Sequence, residues 1–154
     1  MRSGTIALAD ASATEILGAA LGSVLRPGDV VALSGPLGAG KTTFARGVLG
    51  ALGLSGEAPS PSFSLVIAYD PPDVRLPLWH VDLYRIEDPE EIGELGLDDA
   101  RIDAVLLIEW PERMGDRLWD DALRLSLDPE PTGGRRLTWI IPAAWDGRWP
   151  LPRS

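Results

Sequence analysis

The spacing of apolar positions divides this chain into helix-period and strand-period segments. Between Ser12 and Leu25, Ile16, Leu17, Ala20, Leu21, Val24 and Leu25 fall on one helical face. Ser12-Ala-Thr-Glu15 supplies a capping-box pattern ahead of them, and Arg26-Pro-Gly28 ends the run. Asp29-Val-Val-Ala-Leu-Ser34 then reads as a buried strand, and Lys41 to Leu52 as a second helix with Gly53 just past its end. Phe63 to Tyr69 and Leu76 to Tyr84 read as strands joined through Asp70-Pro-Pro-Asp73. Asp88 caps a short acidic helix with Pro89 at its first position. Ala104-Val-Leu-Leu-Ile108 is an unbroken apolar run, as expected of a strand covered on both faces, and it stops at Glu109. Pro111 to Trp119 predicts a further helix, and the alternating segments Ala122 to Leu127 and Arg135 to Ile141 predict a hairpin.

Helices alternating with strands in this way predict a single α/β domain, and the glycine-rich loop Gly35-Pro-Leu-Gly-Ala-Gly-Lys-Thr42 between the strand ending at Ser34 and the helix after it makes it one of the P-loop NTPase type. Its central, mostly parallel sheet is flanked by helices and followed by a C-terminal β-hairpin. The domain is expected over residues 1–142. Residues 143–154 form a proline-rich tail expected to be loosely held.

Composition narrows the function. A length of 154 residues suits one domain with a real core. The absence of cysteine removes disulfides, thiolate metal sites and cysteine nucleophiles. A net charge of −9 argues against a chain that grips nucleic acid unaided. No segment reads as a membrane span or export leader, so the cytoplasm is the expected location.

The candidate chemistry starts from one residue. Thirteen of the fourteen basic residues are arginine, and the only lysine is Lys41, in Gly35-Pro-Leu-Gly38-Ala39-Gly40-Lys41-Thr42. In a G-x-x-x-x-G-K-[ST] loop the backbone amides curl around phosphate and the compact ammonium reaches the β/γ oxygens. The Thr hydroxyl meets Mg²⁺. A guanidinium is too wide for that slot. The flanking strand and helix aim a helix N-terminus at an anion, so ATP and Mg²⁺ are the expected ligands. Gly35, Gly38, Ala39, Gly40, Lys41, Thr42 and Thr43 are the expected nucleotide-binding residues.

Phosphate chemistry also needs carboxylates to hold the metal or position water. Glu109 stands at a strand end, where such a group belongs. In His80-Val-Asp82-Leu-Tyr84 the polar residues share one strand face, which makes Asp82 the second candidate. Asp82, Glu109 and Lys41 are therefore the expected catalytic residues, and Thr42, Asp82 and Glu109 the expected metal ligands. His80 reads equally well as a core imidazole. Arg85 is a candidate for neutralising γ-phosphate charge or for a surface salt bridge, and Ser60 and Ser62 for sensing the nucleotide. Trp110 follows Glu109 and is placed near the site.

With no Asn, no Gln and no second Lys, the base-reading and water-orienting elements of a GTPase are missing. A small-molecule kinase remains as the alternative to an ATPase acting on another protein. Five blocks then carry a resemblance: Gly35 to Phe44, Ser60-Pro-Ser-Phe-Ser-Leu65, His80-Val-Asp-Leu-Tyr-Arg85, Glu94-Leu-Gly-Leu97 and Ile108-Glu-Trp-Pro-Glu-Arg113. In this order and spacing the chain resembles the TsaE (YjeE) family over roughly residues 12 to 140. The resemblance implies a bacterial ATPase required for N6-threonylcarbamoyladenosine at position 37 of tRNAs that read codons starting with A. It implies action on a TsaD–TsaB complex, with tRNA met only through those partners and no membrane involved. It also implies phosphate and Mg²⁺ binding by Lys41 and Thr42, acidic active-site roles for Asp82 and Glu109, and a place beside the nucleotide for Trp110. One position departs: the family usually has Ser-Pro-Thr-Phe where this chain has Ser60-Pro-Ser62-Phe.

Overall fold

A computed structural model describes residues 2–56, 58–61 and 65–149. Among these residues seven strands form one sheet, in the order β1-β7-β6-β2-β5-β4-β3. They are β1 (Arg2–Leu8), β2 (Val30–Ser34), β3 (Val66–Tyr69), β4 (Leu78–Asp82), β5 (Val105–Glu109), β6 (Leu123–Pro129) and β7 (Arg135–Ile141). The central run β6-β2-β5-β4 is parallel, while β1, β7 and β3 join antiparallel at the edges. The expected α/β fold with a mostly parallel centre and a C-terminal hairpin is therefore present.

Side-chain alternation sorts the strands into two cores. Val31 and Leu33 of β2 and Val105 and Leu107 of β5 face the helices α1 (Ala11–Gly22) and α2 (Lys41–Ala51). Val30, Leu106, Ile108 and Val81 face the other way, toward the short helices α3 (Glu90–Gly93) and α4 (Leu97–Ala100) and a 3₁₀ segment at Pro111–Arg117. Because alternation has period two, Glu109 shares the α2-side face with Val105 and Leu107. Asp82 and His80 share it with Leu78.

Several expectations are corrected. The cap of α1 is Asp10 and not Ser12: its Oδ1 accepts a hydrogen bond from Ala13 N at 2.8 Å. Ile16, expected on the buried face, is 67% exposed. The helix expected over 111–119 is 3₁₀ and broken at Gly115, whose φ of 53° and ψ of −127° leave helical space. The strand expected over 76–84 is confined to Leu78–Asp82, and β1 had no counterpart in the sequence reading. The expected start of β3 at Phe63 lies outside the described residues.

Residues 143–149 are held against the body by specific contacts. Trp145 and Trp149 are buried in the α2-side core, and Trp145 Nε1 donates to Asp121 O. The Arg148 guanidinium pairs with Asp29 and donates to Val24 O at 2.8 Å.

The interlock of α1 and α2 rests on glycine. A Cβ on Gly47 would lie 2.1 Å from Glu15 O, and one on Gly18 would lie 2.2 Å from Phe44 O. Both obstacles are backbone, so a methyl group forces the helices apart. Gly50, on the exposed face of α2, has nothing among the described residues within 4 Å of its Cβ position. Gly47→Ala is expected to lower stability by about 2–3 kcal/mol through overpacking. Gly50→Ala is expected to raise it by about 0.5–1 kcal/mol through helix propensity. Urea-unfolding midpoints of the two variants check both signs.

Candidate functional site

The turn between β2 and α2 encloses the site because its backbone takes conformations open to glycine. Gly40, the N-terminal cap residue of α2, has φ 102° and offers no side chain to the first-turn amides. Those amides and the positive end of the helix are thus left to the adjoining cleft. The cleft has a volume of about 420 Å³, within the usual range of small-ligand sites. Gly38, Gly40, Lys41, Thr42 and Thr43 line it from the loop, Asp82, Glu109 and Trp110 from the strand ends, and Ser60 from the following segment. Gly35 and Ala39 build the wall of the loop. Gly35 O accepts a hydrogen bond from Lys41 Nζ at 2.6 Å, and Ala39 N donates to Pro36 O at 3.1 Å.

Lys41 is only 6% exposed. Burial pushes its ammonium below the ordinary lysine pKa, while the negative charges of Glu109, Asp82 and Glu112 oppose that shift. The indole of Trp110 covers the ammonium from the other side, with Nζ 4.1 Å from the ring centroid. Trp110 adopts a left-handed backbone conformation, φ 59° and ψ 48°, immediately after β5, which is how the strand end turns its ring toward Lys41. The Tyr84 ring packs on it at a centroid distance of 4.9 Å.

The carboxylates arrive by register. Asp82 of β4 is paired with Glu109 of β5, and Glu109 is in turn opposite Leu33 of β2, next to the loop. Both acids are buried at the ends of parallel strands, Asp82 at 5% and Glu109 at 3% exposure. Asp82 Oδ1 accepts from Tyr84 N at 2.9 Å. Glu109 Oε2 lies 2.6 Å from His80 Nε2, and His80 is 1% exposed. Among the described residues His80 Nδ1 meets no hydrogen-bond partner, so the pattern assigns the ring proton to Nε2, donating to the carboxylate. His80 is thereby a core imidazole that orients an acid.

Arg85 is exposed and outside the residues that line the cleft, and Ser62 lies outside the described residues. The sequence reading missed Arg135, whose Nε and Nη2 donate to Ala39 O and Gly38 O, each at 2.9 Å. It also missed Asp10 and Thr14, which close the cleft from the β1–α1 junction. No local motif marks these three; they reach the loop through tertiary packing, Arg135 from the start of β7 and Asp10 and Thr14 from the start of α1 beside α2.

Among the described residues no three His, Cys, Asp or Glu side chains converge as a preformed metal cage, and no helix is long and apolar enough to cross a membrane.

Known proteins resemble this chain in sequence and fold. The family model described as threonylcarbamoyl adenosine biosynthesis protein TsaE matches residues 8–137. A Streptomyces coelicolor tRNA threonylcarbamoyladenosine biosynthesis protein TsaE is 42% identical over 113 residues, covering 73% of this chain and 76% of the relative. The Mycobacterium bovis protein of the same name is 39% identical over 144 residues, covering 88% and 86%. The crystal structure of Bacillus subtilis YdiB superposes with a TM-score of 0.76 at 28% identity, covering 90% of this chain and 84% of that one. The chain therefore belongs to the TsaE family, whose role is in the biosynthesis of threonylcarbamoyladenosine in tRNA.

Proposed function

We propose that this protein is an ATPase that works with Mg²⁺ and acts on a TsaD–TsaB complex, meeting tRNA only through those partners. The observation that carries the proposal is the convergence on one cleft of three features: an uncapped helix N-terminus, the ammonium of Lys41, and the paired strand-end carboxylates Asp82 and Glu109. The reaction is attack of water on the γ-phosphorus of ATP, with cleavage of the bond to the bridging oxygen and release of ADP and phosphate.

In this reading the loop amides and Lys41 bind the phosphates, and Lys41 leaves Gly35 O to do so. Thr42 opens onto the cleft with a hard oxygen donor, as Asp82 and Glu109 do, and that donor set suits Mg²⁺. A preformed cage is unnecessary for this ion, which takes one or two carboxylates together with substrate phosphates. When bound, Mg²⁺ neutralises charge on the phosphates. Glu109, held by His80, is placed to orient the attacking water. Trp110 lines the cleft over Lys41, and Tyr84 packs on Trp110 from outside it. The net charge of −9 supports a division of labour in which partners hold the tRNA.

Hydrolysis is expected to be slow for the protein alone, to rise with TsaD–TsaB, and to vanish in Lys41→Ala. Phosphate transfer to a small metabolite in place of water would overturn the proposal in favour of a kinase. Asp82→Asn and Glu109→Gln are each expected to lower kcat by about a hundredfold with KM nearly unchanged, and loss of affinity alone would remove them from the chemistry. Lys41 must be charged to bind phosphate, and its pKa in the free protein is lowered. ATP affinity should therefore begin to fall below the pH at which an ordinary lysine titrates. The limiting slope is about tenfold per pH unit for one linked proton. Calorimetric titrations across alkaline pH measure it.

A further inference from the structure

We propose that Arg135 is a positioning residue for the nucleotide phosphates, acting through the carbonyl side of the loop; this rests on the ATP reading above. A loop whose amides turn inward around an anion turns its carbonyls outward, and outward carbonyls need donors of their own. Arg135 supplies them. Its Nε donates to Ala39 O, its Nη2 to Gly38 O and its Nη1 to Gly134 O, all at 2.9 Å. One planar fork thus ties two consecutive loop carbonyls to the β6–β7 turn.

The fork is mounted on a rigid base. Arg135 is the first residue of β7 and is paired with Leu8 of β1 on one side and Pro129 of β6 on the other. Gly134 beside it, at φ 75°, packs so closely on the β1–α1 junction that a Cβ there would lie 2.4 Å from Leu8 O. Each bonded carbonyl belongs to the same peptide unit as the next amide. Arg135 therefore orients the Ala39 and Gly40 N–H groups and strengthens them as donors. The Ala39 amide closes the turn onto Pro36 O, and Gly40 stands at the head of α2. The guanidinium also lines the cleft, adding a positive charge beside the anion site.

Two measurements on the full chain test this. In nucleotide-free protein, hydrogen exchange at the Ala39 and Phe44 amides is expected to be at least fivefold faster in Arg135→Ala, with β2 and β5 amides unchanged. In calorimetry, ATP affinity is expected to fall at least tenfold in Arg135→Ala, with the loss in turnover appearing in KM and kcat lowered less than threefold. Arg135→Lys, which keeps the charge and loses the fork, is expected to recover only a small part of the affinity. Full rescue by lysine, unchanged loop exchange, or a loss confined to kcat would each overturn the assignment. A wild-type protein that binds no ATP would overturn the nucleotide reading, while the exchange comparison still decides for or against the fork. A general loss of protection in Arg135→Ala, β2 and β5 included, would overturn the assignment in favour of a merely structural role.

Discussion

A buried ammonium is the constraint around which this structure is organised. Lys41 stands at the head of α2 with 6% of its surface exposed, where desolvation disfavours its charge. A charge in that position needs nearby counter-charge and hydrogen-bond acceptors. The parallel register of β4 and β5 brings Asp82 and Glu109 to it, Gly35 O accepts from it, and the left-handed turn at Trp110 lays an indole over it. None of these groups is optional in physical terms. Removing the acids would leave the ammonium buried without its compensating charges, and removing the ammonium would leave two buried carboxylates facing each other across adjacent strands. In the proposed function a polyanion takes over from Gly35 O and the carboxylates as the partner of Lys41.

The same interdependence explains which parts were legible in the sequence. The loop was legible because its geometry is local: glycines at Gly35, Gly38 and Gly40 and a single lysine lie within eight positions. Glu109 was legible because an apolar run covered on both faces ends at it, and Asp82 because period-two alternation puts it on one face with His80. The pairing of His80 with Glu109 was not, since it depends on β4 and β5 being neighbours, a tertiary fact. Asp10 was passed over because Ser12-x-x-Glu15 matched a capping pattern two residues later, and the backbone took the earlier cap. Ile16 shows the limit of helical periodicity. α1 meets α2 through Gly18 and Gly22, so the glycine face is the buried one and an adjacent apolar residue remains outside.

β1 and the segment after Pro142 were hard to read for a related reason. Arg2–Leu8 is an edge strand with only Leu8 fully buried, so it carries little apolar alternation, and it exists through its pairing with β7. The tail is rich in prolines and lacks periodicity, yet two tryptophans and Arg148 anchor it as far as residue 149. Large aromatic side chains can anchor an irregular segment to a core without regular secondary structure. A reading based on periodicity assigns no weight to that.

The uneven use of lysine and arginine follows from the jobs the structure gives them. Arg75 donates to Gly22 O and Arg148 to Val24 O at the end of α1. Arg101 donates to Gly28 O while gripping Asp121, and Arg135 spans Gly38 O and Ala39 O. Each is a staple on carbonyls that secondary structure leaves unpaired, and a rigid fork with five donors suits that task better than a flexible point charge. At position 41 the demand is reversed. The cation sits inside a tight turn and bonds to Gly35 O, and in the proposed reaction it exchanges that partner for phosphate oxygens. A compact, rotatable ammonium meets that demand better than a planar guanidinium does. The two cations that bond to the loop are therefore not interchangeable: Arg135 bridges two adjacent carbonyls with a rigid fork, and Lys41 bonds to Gly35 O through a single rotatable ammonium.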